Sequence, residues 1–192
     1  MTKNILLVGV GGQGTITASK LLTIGLMQAG YDVKMSEIHG MSQRGGDVAS
    51  QVRYGEKVYS PVIPEGEADI IVAFEKMEAL RALNYLKPDG IMVVNDYEIN
   101  PMPVVSGVAS YSPDIMKELE QRAKVIAFKA FDVASELGNA RTLNVLLLGA
   151  TVEMMGLTAI DWNTIIKENV KPKFVELNQQ AFARGMTLVK RK

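Results

Sequence analysis

The chain reads as an α/β protein: three layers, α/β/α, around a mixed but mostly parallel sheet that carries one antiparallel hairpin. Three observations predict this. Short, wholly apolar runs recur at Ile5–Val8, Ile70–Phe74 and Ile91–Val94, and such runs mark strands buried on both faces. The first run passes through a glycine-rich turn into a helix-like stretch and then a second strand, an opening for which a right-handed parallel crossover is expected. Residues Val48, Ser50, Val52 and Tyr54 alternate with Ala49, Gln51 and Arg53, the period of a strand with two different faces. Together these describe a Rossmann-like domain spanning residues 1–192.

The elements follow in order. Thr15–Ala29 is predicted helical, with Ile16, Leu21, Leu22, Leu26 and Met27 apolar and Gly30 placed to cap its end. Asp32–Ser36 is the second strand. Tyr54-Gly55-Glu56-Lys57 reads as a turn that folds Val58-Tyr59-Ser60 back on the alternating strand as a β-hairpin. Glu75–Leu86 is a helix stopped by Lys87-Pro88-Asp89-Gly90. Ile91–Asn95 and Val125–Phe128 are the remaining strands. Asp132–Leu137 is a short helix closed by Gly138. Thr142–Met155 is apolar nearly all round, so this helix is buried, in the core or against another chain. Pro172 suits the first turn of a last helix, with Phe174, Leu177, Ala181 and Phe182 on one stripe.

Composition narrows the function. Lys plus Arg equals Asp plus Glu at 21 each, which argues against a nucleic-acid or membrane surface, since those need a clustered basic excess. There is no cysteine, so disulfides and Cys-ligated iron–sulfur clusters cannot form within the chain. One histidine, His39, falls short of the ligand set of a catalytic zinc site, and no metal site is expected. The apolar runs are too short to span a bilayer, and the N-terminus leads straight into a strand without a signal-like segment. The expected location is the cytoplasm.

The turn Gly9-Val10-Gly11-Gly12-Gln13-Gly14 contains G-x-G-x-x-G between a strand and a helix. Glycines let a backbone approach a ligand closely, and a helix N-terminus offers unpaired N–H groups and partial positive charge to an anion. Gly9, Gly11, Gly12, Gln13, Gly14 and Thr15 are therefore the candidate cofactor-binding residues. Tight strand–helix packing is the other reading of the same glycines. No Gly-Lys-Ser or Gly-Lys-Thr follows, so this is not a Walker-type loop. Glu37, after the second strand, is where a dinucleotide site places its acidic residue, which leaves a stand-alone NAD-binding oxidoreductase as an alternative.

Ser36–Gly46 is the most unusual stretch. It gathers a carboxylate, an imidazole, two hydroxyls, an amide and a guanidinium among three glycines. It and the glycine loop are expected to leave adjacent strands and share one rim. Ser42, Gln43 and Arg44 join the cofactor-binding set, because Arg44 can clamp phosphate or carboxylate with two parallel hydrogen bonds. Glu37 and His39 are the only candidates for proton transfer, with Glu37 holding one His39 tautomer. Asn144, inside an apolar helix, is expected to satisfy a buried polar group.

Five segments then carry a resemblance: GVGGQGTITASKLL (Gly9–Leu22), SEIHGMSQRGGDVASQVRYG (Ser36–Gly55), VYSPVIPEGEADI (Val58–Ile70), FEKMEALR (Phe74–Arg81) and ELGNARTLNVLLLGA (Glu136–Ala150). They resemble the small (beta) subunits of the indolepyruvate branch of the 2-oxoacid:ferredoxin oxidoreductase superfamily, whose domain is of gamma type. EIHGMSQRGG is the part that points to that branch; the glycine loop is shared with gamma subunits for other 2-oxoacids, which stand as a second alternative. The resemblance implies oxidative decarboxylation of an aryl pyruvate to an aryl-acetyl-CoA, with electrons to ferredoxin. It implies that thiamine diphosphate, Mg and the iron–sulfur clusters sit on a large, cluster-bearing alpha subunit, and that coenzyme A is a co-substrate. This chain alone is then inactive. The isolated chain is expected to self-associate, with the apolar helix Thr142–Met155 as first candidate surface.

Overall fold

The computed structural model describes residues 2–39 and 46–190. Gly40–Gly45, which include the candidates Ser42, Gln43 and Arg44, lie outside the described residues. Six strands form one sheet: β1 (Lys3–Val10), β2 (Asp32–His39), β3 (Asp47–Gly55), β4 (Ala68–Ala73), β5 (Leu86–Asn95) and β6 (Lys124–Phe128), in the order β2-β3-β1-β4-β5-β6. The pairings from β1 through β4 and β5 to β6 are parallel, and β3 is antiparallel to both of its neighbours. The sheet is mixed, as the sequence predicts.

Strand parity explains the three layers. Ile5 and Leu7 of β1, Ile70 and Val72 of β4 and Val93 of β5 face one side. There they meet α1 (Thr15–Gln28), α5 (Ala130–Glu136), α6 (Leu143–Met154), α7 (Trp162–Asn169) and α8 (Val175–Val189). Leu6, Val8, Ile71, Ala73, Met92 and Val94 face the other side, against α2 (Lys76–Ala82) and α4 (Ile115–Arg122). A short α3 (Met102–Val105) lies in the long connection between β5 and α4. Central β1 is buried from its second residue onward, which is why its sequence shows no alternation.

Four expectations need correction. The antiparallel pair is not Val48–Tyr54 with Val58–Ser60. Both edges of β3 are taken, by β1 and by β2, so no ladder site is left. The segment after β3 is instead held by side chains: Val58 N–H donates to Asp32 Oδ2 at 2.9 Å and Ile63 N–H to Gln51 Oε1 at 2.6 Å. Arg53 donates to the carbonyls of Ser60 and Val62 at 3.1 and 2.9 Å. Pro61 and Pro64 have no N–H to give a ladder.

The strands β1 and β2 run in the same direction but are not adjacent, because β3 lies between them. Third, the helix expected over Glu75–Leu86 is shorter. Glu75 is its cap, accepting Met77 and Glu78 N–H at 2.7 and 3.0 Å; α2 ends at Ala82, and Leu83–Tyr85 is a turn of 3-10 helix. Lys87–Gly90 form a bulge inside β5, where the pairing jumps from Ala68 with Leu86 to Ile70 with Ile91.

Fourth, α6 is no free surface. It packs on α8 so closely that a Cβ at Gly149 would strike the Phe182 carbonyl oxygen, and one at Gly185 the Leu146 carbonyl oxygen. Nine of its residues, Leu143 and Val145–Val152, are buried within the chain. Its apolar circumference is used up in the fold, so it cannot be the surface for self-association.

Candidate functional site

The glycine loop leaves the carboxyl end of β1 at the centre of the sheet, where open α/β sheets place their ligands. Its members differ in role. A Cβ on Gly9 would lie 2.8 Å from Phe74 Cβ and 2.9 Å from Gln13 Oε1, so Gly9 serves packing. Gly12 and Gly14 have φ of +103° and +87°, the left-handed region that favours glycine. Gly11 N–H donates to the Gly46 carbonyl at 2.8 Å, tying the loop to the start of β3. Gln13 turns inward: Val10 N–H donates to its Oε1 at 2.8 Å, and its Nε2 donates to the Phe74 carbonyl at 2.9 Å. Both ends of that amide are engaged, so Gln13 braces the loop.

Gly14 caps α1 and brings no side-chain acceptor, and the first turn holds no acidic residue. Thr17 and Ala18 N–H both go to the Gly14 carbonyl at 3.1 Å. Among the described residues no acceptor meets the N–H groups of Gly14, Thr15 or Ile16. The mouth of the helix is thus set for negative charge.

Two clefts flank this mouth. The smaller, about 320 Å³, lies between the loop and the end of the β2/β3 pair, lined by Gly11, Gly12, Gly14, Thr15, Ile16, His39 and Val48. It brings together the glycine loop and His39, as expected of segments on one rim, although through β3 rather than by direct adjacency. Glu37 points to the same face of β2 as His39 and lies opposite Ser50 of β3. Among the described residues, neither Glu37 Oε1 nor Ser50 Oγ, both buried, meets a hydrogen-bond partner. With β3 interposed, Glu37 stands one strand spacing, roughly 4.8 Å, farther from β1 than in a dinucleotide fingerprint.

The larger cleft, about 620 Å³, opens on the other side of the loop. Gly11–Gly14 form one wall; Tyr97 and Ile99 beyond β5, Phe131 of α5, and Ala140, Arg141, Leu143 and Asn144 at the start of α6 form the rest. Arg141 is exposed and set at the rim by Asn139, whose Oδ1 accepts the Arg141 N–H at 3.0 Å. Asn144 is half-buried here, its Nδ2 lying 2.7 Å from where a Gly14 Cβ would be. Its Oδ1 accepts the N–H of the buried Val145 at 2.8 Å, as expected of a residue that satisfies a polar group there, and the side chain also lines the cleft.

Tyr97, Phe131 and Arg141 escaped the sequence reading. The rule that ligands gather beyond the carboxyl ends of strands would have reached Tyr97 and Phe131, which follow β5 and β6. Arg141 stands in the quoted ELGNARTLNVLLLGA run. Nearby, Glu75 Oε1 accepts the Tyr111 hydroxyl and the Ile99 N–H, the latter at 3.2 Å. Burial first, and then that carboxylate, push the Tyr111 hydroxyl well above its ordinary value of 10.0, so Tyr111 stays a neutral donor that holds the β5–α4 connection over α2.

The family model for pyruvate ferredoxin/flavodoxin oxidoreductase matches residues 4–188. The chain belongs to that family. It is 43% identical over 193 residues to the indolepyruvate oxidoreductase subunit IorB of Thermococcus kodakarensis, covering 97% of this chain and 96% of the relative. It is 37% identical to the subunit of the same name from Methanothermobacter thermautotrophicus, with 96% of each covered. The common gamma subunit of the pyruvate/ketoisovalerate oxidoreductases of Pyrococcus abyssi is 27% identical over 90% of this chain and 89% of its own length.

Among solved structures, pyruvate oxidoreductase subunit PORC of Thermotoga maritima superposes with a TM-score of 0.74 at 23% identity, covering 97% and 96% of the two chains. A 2-oxoglutarate:ferredoxin oxidoreductase chain from Magnetococcus marinus gives 0.77 at 19% identity, covering 98% of this chain and 31% of that one. These two establish the common fold. Among the described residues of this family member, no helix is long and apolar enough to cross a membrane.

Proposed function

We propose that this chain is the small subunit of an indolepyruvate (aryl pyruvate):ferredoxin oxidoreductase. The reaction consumes an aryl pyruvate, coenzyme A and two oxidised ferredoxins, and yields aryl-acetyl-CoA, carbon dioxide, a proton and two reduced ferredoxins. The observation that carries this is the end-to-end match to indolepyruvate oxidoreductase subunits at 37–43% identity, against 25–27% for the matched pyruvate-type subunits. That contrast favours the indolepyruvate branch over another 2-oxoacid. The interposed β3 disfavours the NAD reading.

Thiamine diphosphate with Mg, and the iron–sulfur clusters, belong in this reading to the large alpha subunit: a chain without cysteine has no thiolate to give a cluster. When bound there, the thiamine group supplies the carbanion chemistry of decarboxylation. This chain's share is recognition. Gly12, Gly14 and Thr15 present backbone and Arg141 presents a guanidinium to the anionic part of coenzyme A or of the oxoacid. Gly9 and Gln13 hold that backbone in place. Ser42, Gln43 and Arg44 are proposed, from their side-chain chemistry, to take part in the same recognition, and the partner closes the clefts. The setting is the cytoplasm.

The test is reconstitution. The purified chain alone is expected to turn over no oxoacid. Addition of the large subunit should give viologen reduction that requires thiamine diphosphate, coenzyme A and indolepyruvate. Turnover by this chain alone, or a complex active with pyruvate but not with aryl pyruvates, overturns the reading.

A further inference from the structure

Asn95 fixes two aromatic rings at the edge of the larger cleft. Its backbone carbonyl accepts the Tyr97 N–H at 2.8 Å. Its side-chain Oδ1 accepts the Ala130 N–H at 2.9 Å, which starts α5 one residue before Phe131. The Tyr97 carbonyl in turn accepts the Lys76 N–H at 3.1 Å. The Tyr97 and Phe131 rings are stacked, with centroids 4.8 Å apart and planes 21° from parallel.

This pair differs from the aromatic contact in the core. Trp162 and Phe182 meet in the core, 3% and 5% exposed. Tyr97 and Phe131 are only half-buried, and both line the cleft of about 620 Å³, a size that suits a small organic ligand or a large part of a cofactor. Their backbones are anchored before any ligand arrives, so little ordering is left to oppose binding.

We infer that Tyr97 and Phe131 form a stacking platform for a flat aromatic ring carried by an anionic ligand. The ring packs against the pair, and its charged group reaches Arg141 and the mouth of α1. The second half of this rests on the reading above, that the mouth receives negative charge. Two ligands share this chemistry: the aryl ring of an aryl pyruvate with its carboxylate, and the adenine of coenzyme A with its phosphates. Aromatic pairs add to binding beyond simple area burial, and bases stacked on aromatic side chains do so strongly.

The first measurement is calorimetry on the full chain with two matched pairs of probes: indole-3-acetate against acetate, and adenosine 3′,5′-bisphosphate against inorganic pyrophosphate. At least one ring-bearing probe should bind about tenfold more tightly than its ring-free partner. Tyr97→Leu and Phe131→Leu should each bring that ratio to within about twofold of unity, and Tyr97→Phe should restore it. Thermal melts confirm that each variant is folded. Ring-bearing and ring-free probes of equal affinity overturn the platform, as do Leu variants that keep the ratio.

The second measurement uses the complex with the large subunit. A KM that rises about tenfold for indolepyruvate in the Leu variants identifies the aryl ring; the same rise for coenzyme A identifies the adenine. If neither KM moves, the platform has no part in turnover and the inference fails. A wild-type complex with no activity on aryl pyruvates would sink the proposed function but leave the calorimetric result standing.

Discussion

Gln13 and Asn95 donate to one acceptor, the Phe74 carbonyl oxygen, at 2.9 and 3.0 Å. Gln13 belongs to the glycine loop after β1, Phe74 follows β4, and Asn95 ends β5, so three central strands are joined where they meet the larger cleft. Asn95 is wholly buried, and its other end holds the start of α5. Replacing it with alanine leaves the buried Ala130 N–H without an acceptor and removes one donor from Phe74. The expected cost of Asn95→Ala is about 3 kcal/mol, and of Gln13→Ala about 1.5 kcal/mol. Because one carbonyl serves both, the two effects should couple by at least ~0.5 kcal/mol in a double-mutant cycle read by denaturant unfolding. Plain additivity would show that Phe74 does not link them.

Much of this architecture was legible from residue patterns, for a physical reason. Strands buried on both faces must be continuously apolar, so Ile5–Val8 and Ile70–Phe74 declared themselves, as did the strand–glycine–helix opening. The partner of β3 did not. Alternation in Val48–Tyr54 shows that a strand has two unlike faces, but hydrogen-bond partners are chosen by backbone edges, which leave no mark on side-chain order. Gly55-Glu56-Lys57 looked like a turn into a hairpin, whereas Asp32 and Arg53 capture the backbone that follows.

The site was half legible. Gly12, Gly14 and His39 could be placed from the loop motifs. Tyr97, Phe131 and Arg141 come from three distant segments, and only the order of strands brings them to one cleft. Asn144, the second residue of α6, accepts the Val145 N–H as its setting predicts; that it also lines the cleft shows only once the fold brings the glycine loop beside it.

The glycines of the loop make separable predictions. Gly9→Ala puts a Cβ within 2.8 Å of Phe74 Cβ, in a wall that cannot give, and should destabilise the chain by about 2–3 kcal/mol. Gly12→Ala meets nothing within 4 Å but must adopt φ of +103°, for which the expected cost is nearer 1 kcal/mol. Urea unfolding of the two variants checks the order. Equal costs would mean that the loop relaxes away from Phe74, and that Gly9 has no special packing role.

The contact of α6 with α8 depends on two glycines where backbone meets backbone. A Cβ at Gly149 or Gly185 has no flexible side-chain end to displace, since the Phe182 and Leu146 carbonyl oxygens lie in the way. Either Gly→Ala change should cost about 3 kcal/mol or more, or prevent folding. Loss of near-ultraviolet dichroism from the buried Trp162, which packs on Phe182 of α8, is the readout. An unchanged spectrum and midpoint would mean the helices can part without penalty.

At the opposite end of the sheet Asp69 ties β1, β4 and β5. Its Oδ2 accepts the Asn4 N–H at 2.8 Å, and its Oδ1 accepts Lys3 and Lys87 Nζ at 3.1 and 3.0 Å. Burial alone would raise this carboxyl. The Asn4 N–H and the Lys87 and Lys3 ammonium groups outweigh it and hold the carboxyl below its ordinary 3.8. The folded state therefore favours the ionised form. The stabilisation is fully present above about pH 4, the unfolded value, and is lost as pH falls through the lower folded one. Asp69→Asn should cost about 2 kcal/mol near neutral pH, and the gap between wild type and variant should close as acid protonates Asp69. Urea unfolding across that range tests it: a gap of constant size down to the lowest pH at which the chain folds would show that the three-strand tie does not depend on the carboxylate charge.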